Sequence, residues 1–152
     1  MLKEWNKLMW KTIPVTTSHL SLKNTLMNGQ CFNWKLVENN SYIGCVERKV
    51  ILMKEEENQI LYKYLYQNEK EDEEFLTNYF QFEIDISELY KAARGKLPTN
   101  LHNSLETYTG VRILKQEHLE CILSFICSSN NNIDRIRMML DKFRTNYGEL
   151  IY

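Results

Sequence analysis

No apolar run in this 152-residue chain approaches the length that a bilayer crossing requires, so no membrane-spanning segment is expected. Residues 1–14 carry lysines and large aromatic or thioether side chains, but no apolar h-region and no small-residue cleavage site, unlike a secretory signal. Neither G-x-x-x-x-G-K-S/T nor G-x-G-x-x-G occurs, which removes the familiar nucleotide cradles. Cys31, Cys45, Cys121 and Cys127 form no C-x-x-C pair, and the last two stand six residues apart, which suits neither zinc nor a redox couple. His19, His102 and His118 are scattered without metal-ligand spacing. No metal site, no nucleotide cofactor and no cysteine nucleophile are therefore expected. The thiols read as reduced and mostly buried, in an intracellular protein. Internal repeats and low-complexity segments are absent as well.

Strong charge of either sign is also lacking: the net charge is −1, which by itself gives no support to a polyanion binder. The charge is segregated, however. Residues 1–53 hold 7 basic and 3 acidic side chains, whereas residues 54–74 hold 3 and 8. An acidic stretch, Glu55 to Glu57 and Glu69 to Glu74, thus masks a basic front; it is expected to be a solvated loop and helix start. At 43% hydrophobic, the chain has enough apolar content to fold, and its length suits one domain or slightly more.

The pattern along the chain changes character midway. Residues 5–14 read as an apolar arm that becomes a short strand, and residues 21–28 as a short helix or turn approach. Strands are predicted at 32–37, 42–46, 49–54 and 59–66 from their β-branched and aromatic content, with a turn at 38–41. The middle of the first half is therefore an antiparallel meander of about four strands. Helical spacing then takes over, first at 71–80. A helix capped by Ser87 and ending near Gly95 follows, and another begins at Pro98. The strongest helical patterns are 117–126 and 133–147, with Gly148 as a C-cap. The fold class is α+β, a strand-rich front and an all-helical back.

Two local features stand out. Between the last two helices lies Cys127-Ser128-Ser129-Asn130-Asn131-Asn132, followed by Arg135. One reading is a helix–helix turn with a Ser or Asn cap. The other is a nucleic-acid contact, because an amide and a guanidinium match base edges and phosphates. The second feature is Asn28-Gly29-Gln30-Cys31-Phe32-Asn33-Trp34. It reads either as a tight turn into a core strand or as a glycine that brings a backbone carbonyl against a ligand.

Together these segments resemble the eukaryotic 8-oxoguanine DNA glycosylase family. The resemblance runs in order through Gly29-Gln30-Cys31-Phe32-Asn33-Trp34, Tyr79-Phe80-Gln81, Leu89-Tyr90, Gly110-Val111-Arg112-Ile113-Leu114 and Glu120-Cys121. It continues into Ser124-Phe125-Ile126-Cys127-Ser128-Ser129-Asn130-Asn131-Asn132-Ile133 and spans residues 10–148. It implies an N-terminal domain at 1–112, an antiparallel sheet with helices similar to half of the TATA-binding protein. Residues 113–152 would begin an all-α helix-hairpin-helix glycosylase domain. It also implies base-excision repair of 8-oxoguanine opposite cytosine. The damaged base is flipped out, its glycosidic bond is cleaved through a lysine Schiff base, and the abasic strand is nicked by β-elimination. The implied partner is double-stranded DNA containing 8-oxoguanine, bound by a monomer without cofactor, in the nucleus, with the mitochondrion as a second compartment.

By resemblance, the carbonyl of Gly29 accepts the N7–H of 8-oxoguanine. Normal guanine presents a lone pair at N7, so one acceptor distinguishes the two bases, a difference of about 1–3 kcal/mol for a buried bond. Asn130 and Arg135 match the pair that contacts the widowed cytosine, and Asn131 shapes that surface. The family's wedge residues, Gly-rich hairpin, catalytic lysine and aspartate have no counterpart up to Tyr152. No catalytic residue is therefore assigned, Lys142 is expected on the surface, and this chain alone is expected to be inactive. The alternative is a non-catalytic damaged-DNA-binding or scaffold fragment; a protein–protein module unrelated to DNA is the third class. Ile136, Leu140 and Phe143 are expected to be exposed for want of covering helices.

Overall fold

The computed structural model describes residue 5, residues 7–65 and residues 69–151, so Tyr66, at the end of one predicted strand, lies outside the described residues. Five strands form one antiparallel sheet: β1 (Lys11–Ile13), β2 (Trp34–Val37), β3 (Ser41–Val46), β4 (Lys49–Glu56) and β5 (Gln59–Tyr64). Their order is β1-β5-β4-β3-β2, the expected meander with β1 returning to the edge beside β5. The helices are α1 (Leu22–Leu26), α2 (Glu69–Tyr79), α3 (Ile86–Lys96), α4 (His102–Thr107), α5 (His118–Ser128) and α6 (Ile133–Tyr147). The α+β expectation holds.

Register explains the core. Trp34 pairs with Gly44, Gly44 with Ile51 and Ile51 with Tyr64, so all four point to one face. Tyr42, Met53 and Tyr62 form a second row on that face. Leu26 of α1, and Leu76 and Tyr79 of α2, pack in the same cluster, with Phe80 just beyond α2. Gly44 is needed here because the Trp34 ring crosses its backbone: a Cβ would lie 2.4 Å from Trp34 Cδ2. The Trp34 indole N–H donates to the Tyr79 hydroxyl at 3.0 Å, which satisfies the one polar atom the ring buries.

Several local expectations need correction. β4 extends to Glu56, so part of the acidic stretch is strand rather than loop. Glu55 accepts the Leu22 backbone N–H and thereby ties β4 to α1, and burial raises its carboxyl above the ordinary range. Asp72 is buried, 3.6 Å from Lys49 Nζ, so the helix start is not all solvated either. The first strand of the meander begins only at Trp34, because the preceding residues are held by side-chain contacts instead of a ladder. Asp85, not Ser87, caps α3: its carboxylate accepts the Ser87 N–H at 2.9 Å. That helix runs through Gly95 to Lys96. Only Cys31 of the cysteines is buried; Cys45 and Cys121 are exposed and Cys127 is half-buried.

The helical back half joins the sheet through one extended segment, residues 111–117, and a second small core. Phe32 packs against Ile136 and Leu140, flanked by Leu123 and Cys127. Ile136 and Leu140 are therefore covered by this chain's own Phe32, contrary to the expectation of exposure, while Phe143 is exposed as expected. Apolar surface is also uncovered on α5, at Leu119, Ile122, Phe125 and Ile126, with Phe125 79% exposed.

Candidate nucleic-acid interface

The turn between α5 and α6 is shorter than expected, because α5 continues through Ser128. Three consecutive asparagines follow, and each does something different. Asn132 caps α6, its side-chain oxygen accepting the Arg135 backbone N–H at 2.9 Å. Asn131 turns inward, its amide donating to the Cys127 carbonyl at 2.8 Å and the Ser129 carbonyl at 3.0 Å. It thereby satisfies carbonyls at the C-terminal end of α5 that the helix leaves unpaired. Asn130 stands in left-handed conformation, φ 55°, which asparagine tolerates better than most residues. Its side chain is exposed and makes no hydrogen bond with the described residues.

Arg135 occupies the first turn of α6, exposed, with no ion pair among the described residues. A cation at a helix N-terminus opposes the macrodipole and carries a small cost when nothing anionic is present. Its neighbours do not share this state: Arg137 lies 3.7 Å from Asp134, and Arg144 is paired with Glu120. Asn131 and Asn132 thus act as caps, whereas Asn130 and Arg135 have no side-chain partner among the described residues.

Gly29 lies beside this turn. A Cβ on Gly29 would sit 3.2 Å from Ile133 Cδ1, so the glycine abuts the first residue of α6. Its φ of +85° is the left-handed geometry that glycine accepts at no steric cost. The Gly29 carbonyl accepts no hydrogen bond from the described residues. The structure therefore brings together two motifs about a hundred residues apart in sequence.

Sequence reading missed the side chains that fix this arrangement. Gln30 Nε2 donates to the Thr25 and Arg112 carbonyls, both at 2.8 Å, and its Oε1 accepts the Leu114 N–H at 3.1 Å. Gln116 Nε2 donates to the Gln30 carbonyl at 2.8 Å. Arg144 donates to the Phe32 carbonyl at 3.3 Å, to the Asn33 side-chain oxygen, and to Glu120 Oε1 at 3.2 Å. Burial lifts the Glu120 carboxyl above its ordinary range, although Asn33 and Arg144 pull it back. Gln30 and Asn33 belong to the motif already singled out; their partners could not be read from spacing.

The surroundings of Cys31 favour the thiol over the nucleophilic thiolate. Its thiol is buried, donates to the Leu26 carbonyl at 3.5 Å, and burial pushes its pKa up to about 12. Lys142 is exposed, as expected. Among the described residues no cluster of His, Cys, Asp and Glu could hold a metal ion, and no helix is long and apolar enough to cross a membrane.

Known proteins resemble this chain in sequence and in fold. The 8-oxoguanine DNA glycosylase N-terminal domain profile matches residues 12–122. The N-glycosylase/DNA lyase of Saccharomyces cerevisiae is 35% identical over 150 residues, covering 91% of this chain but 39% of the yeast protein. An Arabidopsis thaliana N-glycosylase/DNA lyase is 30% identical, over 87% of this chain and 37% of its own length. Clostridium acetobutylicum 8-oxoguanine glycosylase/lyase, solved with double-stranded DNA containing cytosine opposite 8-oxoguanine, superposes with a TM-score of 0.71. It is 34% identical and covers 78% of this chain and 40% of its own. The chain spans about two fifths of the length of these relatives. On sequence and fold together, the chain belongs to the 8-oxoguanine DNA glycosylase family.

Proposed function

We propose that these residues form the lesion- and opposite-base-reading part of an 8-oxoguanine DNA glycosylase/lyase that acts in base-excision repair on double-stranded DNA. The observation that carries this reading is the pairing of unused groups at one place. Among the described residues the Gly29 carbonyl accepts no hydrogen bond, and Gly29 abuts Ile133 at the start of α6, on a turn where Asn130 and Arg135 have no described partner and the other asparagines are spent on caps. An acceptor distinguishes the N7–H of 8-oxoguanine from the lone pair of guanine. An amide and a guanidinium suit the acceptors of an unpaired cytosine. Arg135 together with the N-terminus of α6 also favours nearby phosphate.

The proposed division places the N-terminal domain at residues 1–112 and the opening of the helical glycosylase domain at 113–152. The glycosidic cleavage and β-elimination are assigned to none of these residues. The protein is proposed to act as a monomer, in the nucleus and in the mitochondrion. A chimera tests the reading, with this chain replacing the matched 150 residues of the yeast relative. It should nick duplex DNA containing 8-oxoguanine opposite cytosine, whereas the 152-residue chain alone should not. A folded chimera without activity, or nicking by the chain alone, would overturn it.

A further inference from the structure

Gly29 can discriminate only if its carbonyl is held in place before the base arrives, because an acceptor free to swing would meet guanine as readily as its oxidised form. A glycine in a surface turn is otherwise among the most mobile points of a backbone. The residue that follows it is unusually constrained. The Gln30 side chain, although only half-buried, turns inward to the backbone. It bridges the last turn of α1, through the Thr25 carbonyl, to the extended segment, through Arg112 and Leu114. Its own carbonyl is held by Gln116. Both amide hydrogens and the amide oxygen of the side chain are used, and each partner belongs to the backbone of a packed segment. Arg112 is itself buried and fixed to the His19 carbonyl at 2.7 Å and the Gln81 carbonyl at 2.7 Å. On the other side, Ile133 closes against Gly29.

We infer that Gln30 is a positioning residue for lesion discrimination: its amide fixes the peptide after Gly29 so that the glycine carbonyl is aimed before the base enters. This inference rests on the proposed role of Gly29. Glutamine is suited to it because it offers two donors and an acceptor at the end of a reach that spans both segments. Glutamate would set an oxygen against the Thr25 and Arg112 carbonyls, and methionine would fill the space without bonding.

The test uses the full 152-residue chain at low ionic strength, with fluorescent duplexes carrying 8-oxoguanine or guanine opposite cytosine. The native chain should prefer the lesion duplex. Gln30→Met should reduce that preference about tenfold while leaving affinity for the undamaged duplex unchanged. A purely structural role would weaken both duplexes alike. Gln116→Leu removes only the bond to the Gln30 carbonyl and should reduce the preference about threefold; it decides the matter if Gln30→Met does not fold. A native chain without preference, or folded variants that keep the native preference, would overturn the inference. The chimera's activity judges the function reading separately, so the two can fail independently.

Discussion

Arg112 shows how much a single side chain can organise. Its guanidinium is buried, has no carboxylate partner among the described residues, and is satisfied by backbone carbonyls of His19, Phe80, Gln81 and Ile84, over the Phe82 ring. Arg112→Ala would leave these carbonyls unpaired in a dry site. It should destabilise the chain by about 3 kcal/mol or more in denaturant unfolding, as expected when charge-assisted bonds are lost together. Arg135 is the opposite case, a cation with no ion pair among the described residues. Arg135→Ala should leave stability unchanged or raise it by about 0.3 kcal/mol, since it removes a positive charge from a helix N-terminus. In the chimera it should erase much of the preference for cytosine over adenine opposite the lesion. Asn130→Ala should lower that preference too, but cost about 1 kcal/mol of stability because alanine tolerates the left-handed φ of 55° less well, so Asn130→Gly is the strain-free counterpart. The stability of these two variants, measured beside their opposite-base preference, separates a reading role from a folding one. Gly29→Ala combines both effects. It forces a left-handed residue to carry a Cβ close to Ile133, so it should cost about 1 kcal/mol of stability as well as lesion discrimination.

At the scale of elements, the joint between sheet and helices rests on small polar devices. Asn132→Ala deletes the α6 cap and should cost about 1 kcal/mol in thermal unfolding, without removing the groups assigned to read cytosine. Glu120 offers a pH test. Burial raises its carboxyl in the fold above its unfolded value, so the folded state holds the proton more tightly. Its contribution to stability is fully present below the ordinary glutamate value of about 4.3 and is lost as pH rises through the raised folded value. Glu120→Gln should therefore gain on the native chain as pH increases from 4 to 7, read as the difference between their denaturation midpoints. Strands and long helices were legible in the sequence because β-branched runs and apolar spacing repeat over several residues, as at residues 49–54 and 133–147. The devices at their ends were not. Asp85 displaced Ser87 as cap, and Asn131 and Asn132 divided two caps between them, because propensity alone does not select among adjacent polar residues.

For the molecule as a whole, the dominant feature is the uncovered face of α5. Leu119, Ile122, Phe125 and Ile126 are all more than half exposed along one helix. Contiguous apolar surface of this kind drives association. The purified chain should self-associate in sedimentation experiments as its concentration rises, and Phe125→Glu with Ile122→Lys should reverse this without lowering the unfolding midpoint. Sequence reading placed the exposed helical face at Ile136, Leu140 and Phe143 on α6, of which only Phe143 is exposed. Phe32, more than a hundred residues away, covers Ile136 and Leu140, and long-range pairing of that kind leaves no local mark. The candidate site was legible in part for the same reason. Gly29, Asn130 and Arg135 stand in specific strings, whereas their adjacency across the turn depends on the fold.

The clamp on Gln30 also has a meaning in time. A chain emerging from the ribosome presents residues 20–30 early, yet the groups that seat them, Arg112, Leu114 and Gln116, follow more than eighty residues later. Arg144, which fastens Phe32 and Asn33, comes later still. The meander of β2 to β5 can pair as it is made, since its contacts are between successive strands. The glycine turn must wait. During synthesis, the surface assigned to recognise damage can acquire its shape only after residues 112–144 have been made, later than the meander.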